Sequence, residues 1–358
     1  MLKPSLFACA CAALFLSHAA NGQGTAQEAL PLADYSLEQL SSIVVTSVSR
    51  QPGRLASAPA SLYVISGADI ARSGATSLPE ALRLAPNLQV ALAGGREYAI
   101  SARGFSSQLA NKLLVLVDGR SVYSPLFSGV FWESLDLALA DVERIEVSSG
   151  PGGTIWGTNA VNGVINIITR SAADTQGGLV QAYGGNRENG VVARYGARLG
   201  NGASLRAWAK RDYADAPAAD GRAIGNGSTA RRRAGFRLDW GVDEQSFSLS
   251  GDVYQGAARA SSSESQVDFS GGNLGARYDT RLGDATQLRL QAWFDQSRRD
   301  QFGAGRHHLD TAELEAQLGT RLGERHALTW GGGYRHGRGR FQDGPVLQVA
   351  PTRGTRRW

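Results

Sequence analysis

From about residue 177 the chain alternates apolar and polar positions over long stretches. Residues 191–199 carry apolar side chains at odd positions, with Arg194 and Arg198 on the other parity. The same alternation runs through 236–240, 247–253, 274–282, 288–294 and 312–322, the last with Glu313, Glu315 and Gln317 on its polar face. Successive residues of a strand face opposite ways, so each segment has one apolar and one charged face. Trp208 and Trp293 fall on the polar parity and break the rule. Tight connections are predicted at 200–202, 241–244, 283–285 and 323–325, spaced by about 41 residues. Between them lie long polar stretches, 215–229, 255–271 and 297–309, read as loops. Short turn, long loop, short turn is the sidedness of a membrane barrel built from antiparallel strands.

Upstream the pattern is mixed. Strands are predicted at 62–66, 88–93, 98–103, 113–117, 142–147 and 164–169. Helical pieces are predicted at 68–72 and 77–85, the second started by a Ser77/Glu80 capping box and stopped by Pro86. Asp118-Gly119 signals a tight turn. This is an α+β unit of about 120 residues. A short β-branched run, Ile43-Val44-Val45-Thr46-Ser47-Val48, precedes it and follows a polar tract of little periodicity. At the start, Lys3, an apolar stretch over 6–16 and small residues near 17–22 form an export signal. The expected organisation is a signal at 1–22, a tail at 23–52, the α+β unit at 53–172 and barrel strands at 173–358.

Composition sharpens this picture in three ways. Both cysteines, Cys9 and Cys11, lie in the signal, so a processed chain has no disulfide and no thiol chemistry. After the signal no run of 18 apolar residues exists to make a spanning helix, a test that β-barrels escape. The net charge of +5 is carried almost wholly by arginine without a basic block, which disfavours nucleic acid as partner. No catalytic constellation stands out, and neither an enzyme activity nor a cofactor is expected.

A 41-residue period also suits propeller blades, but those need four short strands and usually a Trp-Asp signature. A soluble sandwich would have strands nearer five or six residues. Nine strands are read between 177 and 334, with a tenth beginning near Phe341, and the last eight residues do not alternate. A barrel of eight to ten strands is filled by its own side chains, whereas a plugged lumen needs about 22. The expectation is therefore an incomplete barrel, about 10 strands of 22, on a truncated chain.

Four ordered motifs then carry a resemblance. They are Ile100-Ser101-Ala102-Arg103-Gly104-Phe105; Leu114 to Tyr123 with its Val117-Asp118-Gly119-Arg120 centre; Val142-Glu143-Arg144-Ile145-Glu146-Val147 with Gly150-Pro151-Gly152-Gly153-Thr154-Ile155-Trp156-Gly157; and Asn159-Ala160-Val161-Asn162-Gly163-Val164-Ile165-Asn166. The stretch resembles the plug domain of TonB-dependent outer-membrane receptors. That resemblance implies a 22-stranded barrel closed by an N-terminal plug, in the bacterial outer membrane. It implies import of a scarce nutrient, such as a ferric siderophore, haem or cobalamin, with energy delivered by TonB. The alternative is a non-transporting fragment, or a passive barrel acting as a binding or adhesion surface.

The resemblance assigns candidate residues. Ile43, Val44, Val45, Thr46 and Ser47 are similar to a TonB box, an extended segment that pairs with a partner's sheet edge. Arg103, Gly104, Phe105, Asp118, Gly119, Glu146, Gly150, Pro151, Gly157 and Gly163 are plug residues expected to shape it or latch it to the barrel. In the family, the Arg-Gly-Phe arginine and a second arginine before Gly-Pro pair with barrel carboxylates; here Ser149 stands at the second position. Gly150 to Gly153 lacks the Gly-Lys-Ser/Thr ending of a phosphate loop and reads as a structural turn. His307 and His308, near Asp310, are read as solvated residues of an external loop. Arg231-Arg232-Arg233 is read as lining the lumen or meeting lipopolysaccharide phosphates. A small molecule or metal chelate is the expected ligand.

Overall fold

A computed structural model of the chain describes residues 43–357 except 48–49, 51–52, 59, 95–96, 105–106, 108, 126–127, 216–217, 220–221, 224–226, 243, 260–265, 324–325 and 349–352. The expected signal, most of the expected tail, and Phe105 lie outside the described residues.

The first unit is built on a five-stranded mixed sheet. Its strands are β3 (Ser61–Ser66), β6 (Leu113–Val117), β7 (Arg120–Ser121), β8 (Val142–Ser149) and β9 (Gly163–Thr169), in the order β3-β8-β9-β6-β7. β6 and β9 run parallel and the other pairs antiparallel. All five residues of β6 are buried, which explains its unbroken apolar run: the sheet is covered on both faces. One face packs Ile65, Val115, Ile145, Ile165 and Ile167 under the helices α1 (Gly67–Ser73) and α2 (Leu78–Leu82). Leu114, Leu116, Ala160 and Val164 make a smaller cluster with Trp156 of α3 (Gly153–Trp156). β4 (Gln89–Gly94) and β5 (Glu97–Ser101) form a separate hairpin. Asp118 and Gly119, at φ +50° and +88°, close the β6–β7 turn as expected.

The capping box sits elsewhere than expected. Ser66 caps α1 with Asp69, whereas Ser77 makes no side-chain cap. Glu80 is already committed, accepting from Tyr98 Oη and Arg83 Nε at 2.7 Å each.

The second unit is a ten-stranded, wholly antiparallel sheet that runs in sequence order. Its strands are β10 (Gly177–Gly184), β11 (Glu188–Arg198), β12 (Ser204–Asp215), β15 (Ser228–Val242), β16 (Gln245–Arg259), β17 (Val267–Leu282), β18 (Thr286–Gln301), β19 (Gly305–Leu322), β20 (His326–Asp343) and β21 (Arg353–Arg357). Two short strands, β13 (Ala218–Ala219) and β14 (Arg222–Ala223), pair within the connection before β15.

At each of the four predicted tight connections one strand ends and the next begins within a few residues, but two predicted loops are mostly strand. β18 and β19 continue to a turn at 302–304, and β16 runs on to Arg259 while β17 begins at Val267. Beyond the outward apolar stretch the outward residues turn polar while the inward face mixes buried apolar groups (Ala258, Val267, Phe269, Leu309) with charged ones such as Arg299, so the outward-apolar alternation vanishes while backbone pairing continues. For the same reason the tenth strand was misplaced. Phe341 belongs to the ninth, and the tenth is Arg353–Arg357, within the residues expected not to pair.

Alternation sorts the two faces cleanly. Val253, Leu274, Phe294, Leu314 and Tyr334 point outward and are 46–65% exposed. Near the tight turns Trp240 and Trp330 also point outward, Trp240 packing on Phe247 with ring centroids 4.4 Å apart. The other face covers the first unit. Trp293, an apparent exception, is buried there at 7% exposure, with the Arg335 guanidinium 5.5 Å from its ring centroid. Among the described residues no helix is long and apolar enough to cross a membrane.

Candidate functional site

The β-branched segment is held against the first unit. Its strand β1 (Val44–Val45) pairs antiparallel with β2 (Gly53–Arg54), and Val45 is 3% exposed. The next two residues run into a buried carboxylate. The backbone N–H of Thr46 donates to both oxygens of Glu146, at 3.2 and 3.0 Å, and that of Ser47 donates at 2.7 Å. Arg144 Nε donates to the same carboxylate at 2.9 Å. Glu146 is fully buried, so the two N–H groups and one guanidinium replace its lost water. Trp156 Nε1 donates to the Ser47 carbonyl at 2.6 Å, and Asn166 Nδ2 to Thr46 Oγ1 at 3.3 Å. Glu146, grouped with the plug latch by sequence, therefore holds the amino-terminal segment.

Arg50 extends the same contact to the barrel wall. Its guanidinium lies 4.4 Å from the Trp156 ring centroid and pairs with Glu315 Oε1 of β19 at 2.6 Å. Its carbonyl accepts from Arg289 and Gln317, at 3.1 and 3.2 Å. Sequence reasoning passed over Arg50. The available signal was Glu315 on the polar parity, opposite the apolar band. Exchanging Glu315 for Gln is expected to weaken this partly exposed pair by about 0.5–1 kcal/mol, read as a small rise in proteolysis near residue 50.

The two units meet through buried acid–base contacts with the polarity reversed from the family pattern: the first unit supplies acids and the barrel wall supplies bases. Asp136 takes Lys210 Nζ at 2.5 Å and Arg231 at 3.1 Å, and Arg231 also pairs with Asp212 at 2.5 Å. Burial by itself would raise the Asp136 carboxyl, but Arg231 and Lys210 against it hold it well below the usual carboxylate range. Glu133 pairs with Arg299, and Asp141 with Arg194 at 2.7 Å and Arg206 at 3.5 Å. Arg120 to Asp295, at 2.5 Å, is one contact of the expected direction.

The remaining sequence candidates are mostly structural. Arg103 donates to the Ser149 carbonyl at 3.4 Å, and among the described residues it has no carboxylate partner. Arg103 and Gly104 both have positive φ, +57° and +89°. Asp118 accepts from Thr169 N and Oγ1, at 2.9 and 2.8 Å, and its carbonyl takes Gln291 from the barrel. Gly150 hydrogen-bonds through its N–H to Asn162 O, Pro151 is exposed, and Gly157 ends α3 at φ +78°. A Cβ on Gly163 would stand 2.5 Å from Ser148 O, so β8 and β9 pair closely there because residue 163 has no side chain.

His307 and His308 are not in a loop: both belong to β19 and face opposite ways. His307 is buried and His308 pairs with Asp310 at 2.8 Å. Among the described residues no three His, Cys, Asp or Glu cluster as metal ligands.

Residues 54–164 match the TonB-dependent receptor plug domain. The vitamin B12 transporter BtuB of Vibrio vulnificus is 36% identical over 150 residues, 41% of this chain and 24% of that protein. An iron-regulated outer membrane virulence protein of Vibrio cholerae is 40% identical over 129 residues, 35% of this chain and 19% of that protein. The ferripyoverdine receptor of the Pseudomonas aeruginosa outer membrane superposes with a TM-score of 0.67 at 13% identity, over 86% of this chain and 47% of that one. The ferric-catecholate import receptor Fiu of E. coli K12 gives 0.66 at 16%, over 85% and 53%. The chain thus spans about half the length of these solved receptors. Residues 54–164 thus match the plug domain of TonB-dependent receptors, and the ten-stranded sheet that follows has the fold of the barrel strands in these solved receptors.

Proposed function

We propose that this chain serves active import of a cobalamin-like or ferric-chelate nutrient across the outer membrane, driven by TonB. The observation that carries the reading is the Glu146 contact: an extended β-branched segment docked on the plug by backbone hydrogen bonds, beside the tight-turn end of the barrel wall. In this reading the export signal and tail precede the plug, the tight turns face the periplasm, and the outward apolar band meets lipid. Ile43, Val44, Val45, Thr46 and Ser47 form the strand that TonB pairs with. The matched relatives named for vitamin B12 and for iron regulation support the cargo class.

The mechanism follows from what holds the segment. Because the segment is held by Glu146, Trp156 and Asn166, pairing with TonB requires it to leave the plug. Force applied at residues 43–47 then reaches β8 through Glu146 and β19 through Arg50. Val45→Pro removes a ladder donor from that strand. It is expected to abolish TonB-dependent accumulation of labelled cobalamin or ferric chelate while leaving binding of the same compound to whole cells unchanged. Normal accumulation by the variant would overturn the TonB-box assignment.

A further inference from the structure

The contact between plug and wall is not filled throughout. Three cavities follow one another along it, and the paired strands β17 and β18 give their order. The outer one, of about 250 Å³, reaches Asn273 of β17 and Asp295 of β18. The middle one, of about 230 Å³, runs from Asn273 to Arg277 and meets Gln291 and Trp293. The inner one, of about 250 Å³, runs from Arg277 toward the tight turn and ends at Arg50, beside the docked segment. Arg120, Asn273 and Trp293 border both the outer and the middle cavity, and Arg277 borders both the middle and the inner.

Small inward residues hollow the wall here. Ser250 of β16 stands directly opposite Gly275 of β17, and Ser248 shares the face of Ser250. A Cβ on Gly275 would meet its nearest neighbour only at 3.6 Å, so the backbone around it does not take up the space. The lining is polar. At the junction of the outer and middle cavities Asn273 Nδ2 is buried and has no hydrogen-bond partner among the described residues. A buried donor of that kind, in a polar cavity with room for a molecule of about 30 Å³, takes water. Pockets for drug-sized ligands measure about 300–1,000 Å³, so these cavities suit water and small ions and not a bulky chelate.

An ion pair lies across the outer junction. Arg120 of the plug reaches Asp295 Oδ2 of the wall at 2.5 Å, beside the buried Trp293, and its side chain is 11% exposed. At the inner end Arg289 pairs with Asp279 at 2.7 Å and donates to the Arg50 carbonyl. Arg289, Gln291, Trp293 and Asp295 are alternate inward residues of β18, so one strand carries both closures.

We propose that these cavities form a water path for small ions between plug and wall, barred at its outer junction by the Arg120–Asp295 pair. Removing Asp295 leaves a guanidinium without its carboxylate in a mostly buried place, an arrangement costly enough to turn the side chain out of the junction. The inference goes beyond nutrient import, and the two fail differently: a chain that carries no cargo would still show the path.

The test places a cysteine at Ser250, on the middle cavity, in the full chain extracted from membranes in detergent. Its labelling is timed with a small charged methanethiosulfonate reagent and with a maleimide carried on a long polyethylene glycol chain. Asp295→Ala is expected to speed the small reagent at least about tenfold, since breaking one side of a buried pair is strongly unfavourable to the closed form. Arg120→Gln cuts the same pair from the plug side, should have the same effect, and carries the test if the alanine variant fails to fold. Asp295→Glu keeps the charge and should stay as slow as wild type, and the polymer reagent should label none of them. Equal rates in wild type and both pair-breaking variants would overturn the proposal. So would fast labelling of wild type by the small reagent, which would mean no bar, or labelling of the variants by the polymer reagent, which would mean that the plug had left its seat.

Discussion

In a Val45→Cys background, replacing Glu146 by glutamine is expected to speed maleimide labelling of that cysteine by on the order of 100-fold. The side chain at 45 is buried, so labelling requires the segment to open from the plug. Glu146 receives two backbone N–H groups and Arg144 in a fully buried site. A hydrogen bond to a charged group contributes about 1.5–3 kcal/mol, and glutamine turns an N–H₂ toward one of these donors. Losing about 3 kcal/mol raises the open population roughly 100-fold, since each 1.4 kcal/mol is a factor of ten. Arg144→Ala is expected to act more weakly, because it leaves both backbone donors satisfied. An unchanged labelling rate in the glutamine variant would show that something other than Glu146 holds the segment.

The second large effect is at the plug–barrel contact. Asp136→Ala is expected to destabilise the seated plug by about 3 kcal/mol, because Lys210 is then left buried without its ion-pair partner, Asp212 nearby being held by Arg231. Arg231 keeps Asp212 and suffers less. The measurement is the urea midpoint of plug unfolding, followed by tryptophan fluorescence, since Trp132 is buried in the plug core. Adding Lys210→Met should restore most of the loss, because the stranded charge goes with it. The pH dependence has a definite sign. Asp136 titrates lower in the folded protein than in the unfolded chain, so its contribution is complete above the ordinary carboxylate range. It declines as the pH falls below about 4. The wild-type midpoint should drop over that window more steeply than that of the double variant. Parallel pH profiles would contradict the assignment.

How legible these features were depended on what carried the signal. The barrel strands were readable because one face meets an apolar surround and the other a polar lumen, so residues such as Leu274 and Arg277 alternate. Where both faces are polar, as at Arg298, Arg299 and Asp300, alternation disappears and a paired strand looks like a loop. The plug sheet and its Asp118-Gly119 turn were readable from local chemistry. The capping site was not, because Ser77 and Glu80 have the right spacing but Glu80 is claimed by Tyr98 from another element. The same limit governs the site. Thr46 and Ser47 were found by their place in a β-branched run, but their partner lies 100 and 99 residues away in β8. Arg50 to Glu315 and Asp136 to Lys210 join residues brought together only by seating the plug against the wall.

The central claim is that residues 43–47 are the strand offered to TonB. It is tested most directly by placing single cysteines along 43–47 and cross-linking them in cells to cysteines in TonB's carboxy-terminal domain. The account predicts cross-links at this segment that intensify when Glu146→Gln releases it, and none from control cysteines at outward positions such as Leu314. Absence of cross-links at every position from 43 to 47, in cells where TonB cross-links to another receptor, would contradict it.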